Sequence, residues 1–74
     1  GKGFPDIYLK AAENLGLDSG DCIVFEDILV GVRAAKEGGF LTYGIYDERS
    51  AADTKKIKAA ADGFIYSFNE MFKY

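Results

Sequence analysis

The sequence predicts an α/β fold, a parallel sheet with helices on both faces, built from about three strands and four helices. Three observations lead there. Stretches with helical apolar spacing alternate with short apolar runs, in the order helix, strand, helix, strand, helix, strand, helix. The first run, Cys22, Ile23, Val24 and Phe25, is apolar at every position, as strands are when helices cover both faces of their sheet. Glycine and aspartate punctuate the junctions, including Asp18-Ser19-Gly20-Asp21 and Gly38-Gly39. Seventy-four residues, 49% hydrophobic and 28% charged, suit one small globular domain across 1–74 and not a disordered chain.

Each element has a local justification. Pro5 suits a first helical position and Asp6 a first turn, where the chain's N–H groups are unpaired and the helix dipole favours an acid. Tyr8, Ala11, Ala12 and Leu15 then follow the spacing of a buried helix stripe, and Gly16 closes the helix with Leu17 as the apolar contact beyond it. The turn 18–21 leads into the strand 22–25. After Asp27 a second helix turns Ile28, Leu29, Val32 and Ala35 inward and stops at Gly38-Gly39. Gly31 inside it costs about 1 kcal/mol relative to alanine, and is either required by a close approach to a neighbour or merely tolerated. The β-branched and aromatic run 41–46 is the second strand. Ser50, with Asp53 three residues on, has the spacing of a capping box for a third helix, whose inner face is Ile57, Ala60 and Ala61. Phe64, Ile65 and Tyr66 form the third strand, and 68–74 a closing helical turn or two.

Composition removes several classes of function. A net charge of −3 with scattered basic residues argues against nucleic acid as a partner, since phosphate backbones require clustered Lys and Arg. Lys55, Lys56 and Lys58 read as a solvated helix face. The absence of histidine excludes His-based acid–base and triad chemistry. The single cysteine, Cys22, sits in an apolar run and suggests a buried thiol in a reducing compartment. No apolar stretch approaches the roughly 20 residues of a membrane span, and no secretory signal is visible, so no membrane and a cytoplasmic location are expected. Aromatics are 15% of the chain and read as core, with ligand contact by Tyr43 or Tyr46 the minor alternative.

The chemistry concentrates at Glu26-Asp27, where the first apolar strand ends and a helix begins. In open parallel sheets, ligands bind beyond the carboxyl ends of the strands. Two acids there can hold Mg²⁺, a hard cation that takes oxygen ligands and often only one or two protein carboxylates. Taken alone, such a pair is more often a helix cap than a ligand, because Asp accepts hydrogen bonds from the helix's unpaired N–H groups. Lys2, ahead of the first helix, would be a point charge for phosphate if the fold brings it to the same crevice.

Two segments resemble the haloacid dehalogenase superfamily, in the branch that looks like β-phosphoglucomutase and the small sugar-phosphate phosphatases. One is Lys2-Gly3-Phe4-Pro5-Asp6-Ile7-Tyr8-Leu9, similar to the family's Lys-Pro-x-Pro-Asp segment. The other is Val24-Phe25-Glu26-Asp27-Ile28-Leu29-Val30-Gly31, similar to its strand ending in Glu-Asp-Ser-x-x-Gly. Ala61-Asp62-Gly63-Phe64-Ile65 is like the family's last core strand, so the resemblance runs from end to end. Gly3 and Ile28 depart from the family's usual proline and serine. The resemblance implies a Rossmann-like core of which 1–74 is the C-terminal part. It further implies Lys2 as the catalytic phosphate-binding lysine, Asp27 and Glu26 as metal residues, Mg²⁺ as cofactor, and a small phosphorylated metabolite such as a sugar phosphate as substrate.

The family's nucleophile is an aspartate in an Asp-x-Asp motif, and none occurs here: the aspartates are at 6, 18, 21, 27, 47, 53 and 62. The Ser/Thr motif and the substrate-selecting cap of the family are also missing. The chain therefore reads as part of a Mg²⁺-dependent phosphatase or phosphomutase, inactive alone. In the family's sheet order the 22–25 strand is central, flanked by the nucleophile strand and by 41–46. Without the former it is an apolar edge with unpaired backbone groups, which calls for the missing N-terminal half or another chain to pair with it. The alternative is a non-catalytic flavodoxin-like or receiver-like binding module, for which Asp47 after Tyr46 would be the strand-end acid; a relic that has lost its catalytic half is a third reading.

Overall fold

A computed structural model of the chain describes residues 5–72. Its three strands, β1 (Ile23–Glu26), β2 (Leu41–Ile45) and β3 (Gly63–Ile65), form one sheet in the order β1-β2-β3. All pairs are parallel, with Glu26 opposite Gly44 and Gly44 opposite Phe64. Helix α1 (Asp6–Asn14) precedes β1, and α2 (Leu29–Glu37) and α3 (Thr54–Ala60) provide the two crossovers. The expected parallel α/β fold is present, with the three α-helices on one face of the sheet and not on both.

Local chemistry sets most boundaries. The N–H groups of Tyr8 and Leu9 both donate to Pro5 O at 3.0 Å, so Pro5 caps α1 one residue ahead of the expected position. Gly16 takes a left-handed φ of 72°, with Gly16 N–H donating to Glu13 O and Leu17 N–H to Ala12 O, each at 2.9 Å. That is the paired closure in which a glycine satisfies the last free carbonyls of a helix. Gly39 does the same after α2, at φ 86°.

The buried core is small: Ala12, Val32, Ala34, Ala35, Phe40, Ile57 and Ile65, together with Thr42, whose hydroxyl donates to Phe40 O at 3.0 Å. Successive strand residues face opposite sides, and paired neighbours face the same side. Val24, Glu26, Thr42 and Gly44 therefore look toward the helix layer. Ile23, Phe25, Leu41 and Tyr43 look away, toward the closing 3-10 helix Phe68–Phe72, whose Phe68 ring meets Phe25 edge-on at 5.2 Å. That cover is partial, leaving Ile23 at 49% and Leu41 at 44% exposure. The slab is only 17 Å through its thin axis, as one helix layer on one sheet requires.

Three expectations are corrected. Ala11 and Leu15 are exposed, because α1 lies over the free edge of β1; they line a groove with Cys22, Ile23 and Val24 instead of a closed core. The first strand runs one residue later than expected, since Cys22 N–H donates to Ser19 O and closes the 3-10 turn Ser19–Asp21. No Ser50–Asp53 capping box forms, because Ser50 lies inside the 3-10 helix Glu48–Asp53; the capping acid is Asp47, accepting from Arg49 N–H at 2.8 Å. The expected closing helical turn is present, as the 3-10 helix Phe68–Phe72. Among the described residues, no helix is long and apolar enough to cross a membrane.

Candidate functional site at the strand ends

Parallel pairing brings the carboxyl ends of β1 and β2 to the same side of the sheet. Just beyond them lies a cleft of about 330 Å³ lined by Asp27, Ile28, Asp47, Arg49 and Ser50. Asp27 follows β1 directly; Asp47 follows β2 after one intervening residue, and Arg49 comes two residues later. The Arg49 guanidinium is gripped by Asp47, Nε to Oδ1 at 3.1 Å and Nη2 to Oδ2 at 3.0 Å. Its Nη2 also stands 4.0 Å from Asp27 Oδ2. Arg49 holds the Asp47 carboxyl down at about 2. Asp27 moves the other way: burial first, and then the neighbouring Glu26 and Asp47 carboxylates, raise its pKa above the ordinary carboxylate value. Concentrated negative charge of this kind favours a cation or a proton.

Glu26 is the last residue of β1, and its side chain reaches toward α1 and α2 while its carboxyl stays beside that of Asp27. Its Oε2 accepts from the Tyr8 hydroxyl at 2.6 Å, and its Oε1 from the N–H groups of Asp27 at 3.2 Å and Ile28 at 3.4 Å. A methyl group at Gly31 would lie 2.6 Å from Oε2 and closer still to Cγ and Cδ. Glycine at position 31 therefore makes room for this carboxylate, which is the close approach that explains its cost in a helix. The Tyr8 hydroxyl is pushed above the ordinary phenol value, by burial first and by Glu26 second.

Of the residues singled out from the sequence, Asp27 stands in the cleft, Glu26 sits behind it, and Lys2 lies outside the described residues. Position 28, where the resembling family has serine, lines the cleft with an isoleucine. Sequence reasoning missed Arg49 as a cleft residue and took Tyr8 for part of the core stripe alone. Asp47 after Tyr46 was the available signal for the first, but nothing local marks a tyrosine that will meet a carboxylate 18 residues away. Among the described residues, no group of three His, Cys, Asp or Glu is arranged to hold a metal ion. The donors fit Mg²⁺ in its usual mode, in which one or two carboxylates suffice and water or phosphate oxygens complete the shell.

Comparison with known proteins aligns with this picture. The chain is 44% identical over 50 residues to Protein CbbY, plasmid, of Cupriavidus necator, covering 68% of this chain and 20% of that protein. It is 41% identical over 59 residues to Beta-phosphoglucomutase of Mycobacterium tuberculosis, covering 78% of this chain and 22% of the relative. A haloacid dehalogenase-like hydrolase domain-containing protein of Arabidopsis thaliana is 49% identical over 35 residues, 47% of this chain and 11% of its own length. The chain thus spans a minor part of each curated relative. No family model matches it. No solved structure matches it at a significant level.

Proposed function

Because the chain belongs to the haloacid dehalogenase superfamily, in the branch of the β-phosphoglucomutase-like proteins, we propose that 1–74 is the C-terminal part of a Mg²⁺-dependent phosphatase or phosphomutase core. Its substrate is a small phosphorylated metabolite such as a sugar phosphate. The observation that carries this reading is the Asp27 carboxylate at the carboxyl end of a parallel strand, facing an open polar cleft. Asp27 and Glu26 are the chain's metal-site pair, with Asp27 as the direct ligand. A bound Mg²⁺ supplies charge neutralisation to a phosphoryl group in transfer. Lys2 supplies a second positive charge to that group.

The free edge of β1 supports the view that the working domain holds more than these residues. An apolar edge strand leaves N–H and C=O groups unpaired, and the half-exposed Ile23 and Leu41 beside it favour further cover. The N-terminal half of the same core, or another chain, pairs there and brings the nucleophile that these residues lack. The location is cytoplasmic, and neither nucleic acid nor membrane is a partner.

Phosphate release from sugar phosphates by the complete polypeptide, followed across a Mg²⁺ titration for the natural sequence and Asp27→Ala, tests this reading. Loss of Mg²⁺-dependent turnover in the variant is expected. An unchanged rate and metal dependence would reduce Asp27 to a helix-start residue and overturn it.

A further inference from the structure

The geometry points to Tyr8 and Glu26 as a positioning pair for Asp27, with Glu26 holding the strand-to-helix turn and not touching the metal itself. This inference rests on the proposed function and assigns the two carboxylates different tasks. A carboxylate has about four lone-pair positions. Three on Glu26 are taken: one by the Tyr8 hydroxyl at 2.6 Å, and two by the N–H groups of Asp27 and Ile28 at 3.2 and 3.4 Å. Those two N–H groups belong to the turn that presents the Asp27 side chain to the cleft. Glu26 itself is absent from the cleft lining.

The arrangement is constrained from three elements. The side chain leaves β1 toward the helix layer, and Gly31 of α2 gives it space that any Cβ would occupy. Tyr8 comes from α1 and is braced edge-on against Phe40, ring centroids 6.0 Å apart. The hydroxyl is therefore delivered by a packed ring and not by a mobile surface side chain. Residues behind a metal ligand that fix its orientation commonly change metal affinity by about 10- to 100-fold when altered.

The test is Mg²⁺ affinity measured by calorimetric titration on the complete polypeptide, with thermal melting of the same samples. The variants are Asp27→Asn, Glu26→Gln, Tyr8→Phe and the Tyr8→Phe/Glu26→Gln double variant. Asp27→Asn should weaken Mg²⁺ by on the order of 100-fold or more, as loss of a charged ligand does. Tyr8→Phe and Glu26→Gln should each weaken it by about 10-fold, and the double variant no further than Glu26→Gln alone, since both act through one bond. If Glu26→Gln matches Asp27→Asn while Tyr8→Phe binds normally, Glu26 is a direct ligand and the inference fails. It fails equally if Tyr8→Phe and Glu26→Gln lower the melting temperature but leave Mg²⁺ affinity unchanged, because the bond is then structural only. Unaltered affinity in Asp27→Asn would instead overturn the proposed function, so the two failures are distinguishable. Should Tyr8→Phe not fold, Glu26→Gln against Glu26→Ala decides: an amide that still accepts from the turn should recover part of the affinity lost with alanine.

Discussion

Replacing Gly31 with alanine sets two effects of opposite sign against each other, and their balance depends on where Glu26 lies. Alanine is preferred over glycine in a helix interior by about 1 kcal/mol. Against this, the new methyl would stand 2.6 Å from Glu26 Oε2, where 3.4 Å is ordinary contact, so the carboxylate must withdraw by most of an ångström. The 2.6 Å bond from Tyr8 does not survive such a shift, nor do the weaker ones from Asp27 and Ile28. A hydrogen bond to a charged group contributes about 1.5–3 kcal/mol. Glu26 is only partly buried, so the lower part of that range applies, and Gly31→Ala should destabilise by about 0.5–1.5 kcal/mol net. In a Glu26→Ala background the obstruction is gone and only the helix preference remains, so the same substitution should stabilise by about 1 kcal/mol. Urea unfolding of the four members of this cycle reads the sign directly. If Gly31→Ala stabilises equally in both backgrounds, Glu26 does not occupy the space over α2 and the account of Gly31 is wrong.

The remaining predictions concern the site and the core. The 74-residue chain alone should release no phosphate from generic phosphoesters with Mg²⁺, as it has no Asp-x-Asp nucleophile; reproducible, metal-dependent turnover by purified chain would contradict this. In the complete polypeptide, Asp27→Ala should cost on the order of 100-fold or more in rate, Ile28→Ser little, and Glu26→Gln an intermediate amount, read from kinetics across a Mg²⁺ titration. Asp62 receives Lys36 Nζ at 2.6 Å and Thr42 N–H at 2.8 Å, contacts that lower its pKa, Lys36 foremost. Its contribution to stability is therefore complete above the ordinary carboxylate value of 3.8 and fades as pH falls through its lower folded value. Melting curves of the natural sequence and Asp62→Asn should converge in that acid range and diverge above it. Gly44→Ala should destabilise by about 1–3 kcal/mol in chemical unfolding, because its Cβ would strike Ile57 Cγ2 and lie 2.8 Å from Phe64 Cδ1.

The identity and order of the elements were legible in the sequence because they depend on preferences that act over a few residues. Pro5-Asp6 opens α1, Gly16 supplies the left-handed closure that no branched side chain tolerates, and the apolar run beginning at Cys22 marks the first strand within one residue. The acid at the end of that strand was legible for the same reason, being a local junction of known topology. Burial was less so. Periodicity placed Leu15 on the inner face of α1, yet it is 72% exposed, because a stripe is buried only where another element covers it, and α1 extends past the edge of β1. Ser50 showed the spacing of a cap but fell inside a 3-10 turn begun by Asp47. The tertiary structure alone gave two adjacent carboxylates different surroundings, Asp27 lining the cleft and Glu26 accepting from Tyr8. Side chains alternate across a strand, so neighbours in sequence meet different layers, and the partner that decides a carboxylate's role can come from 18 residues away.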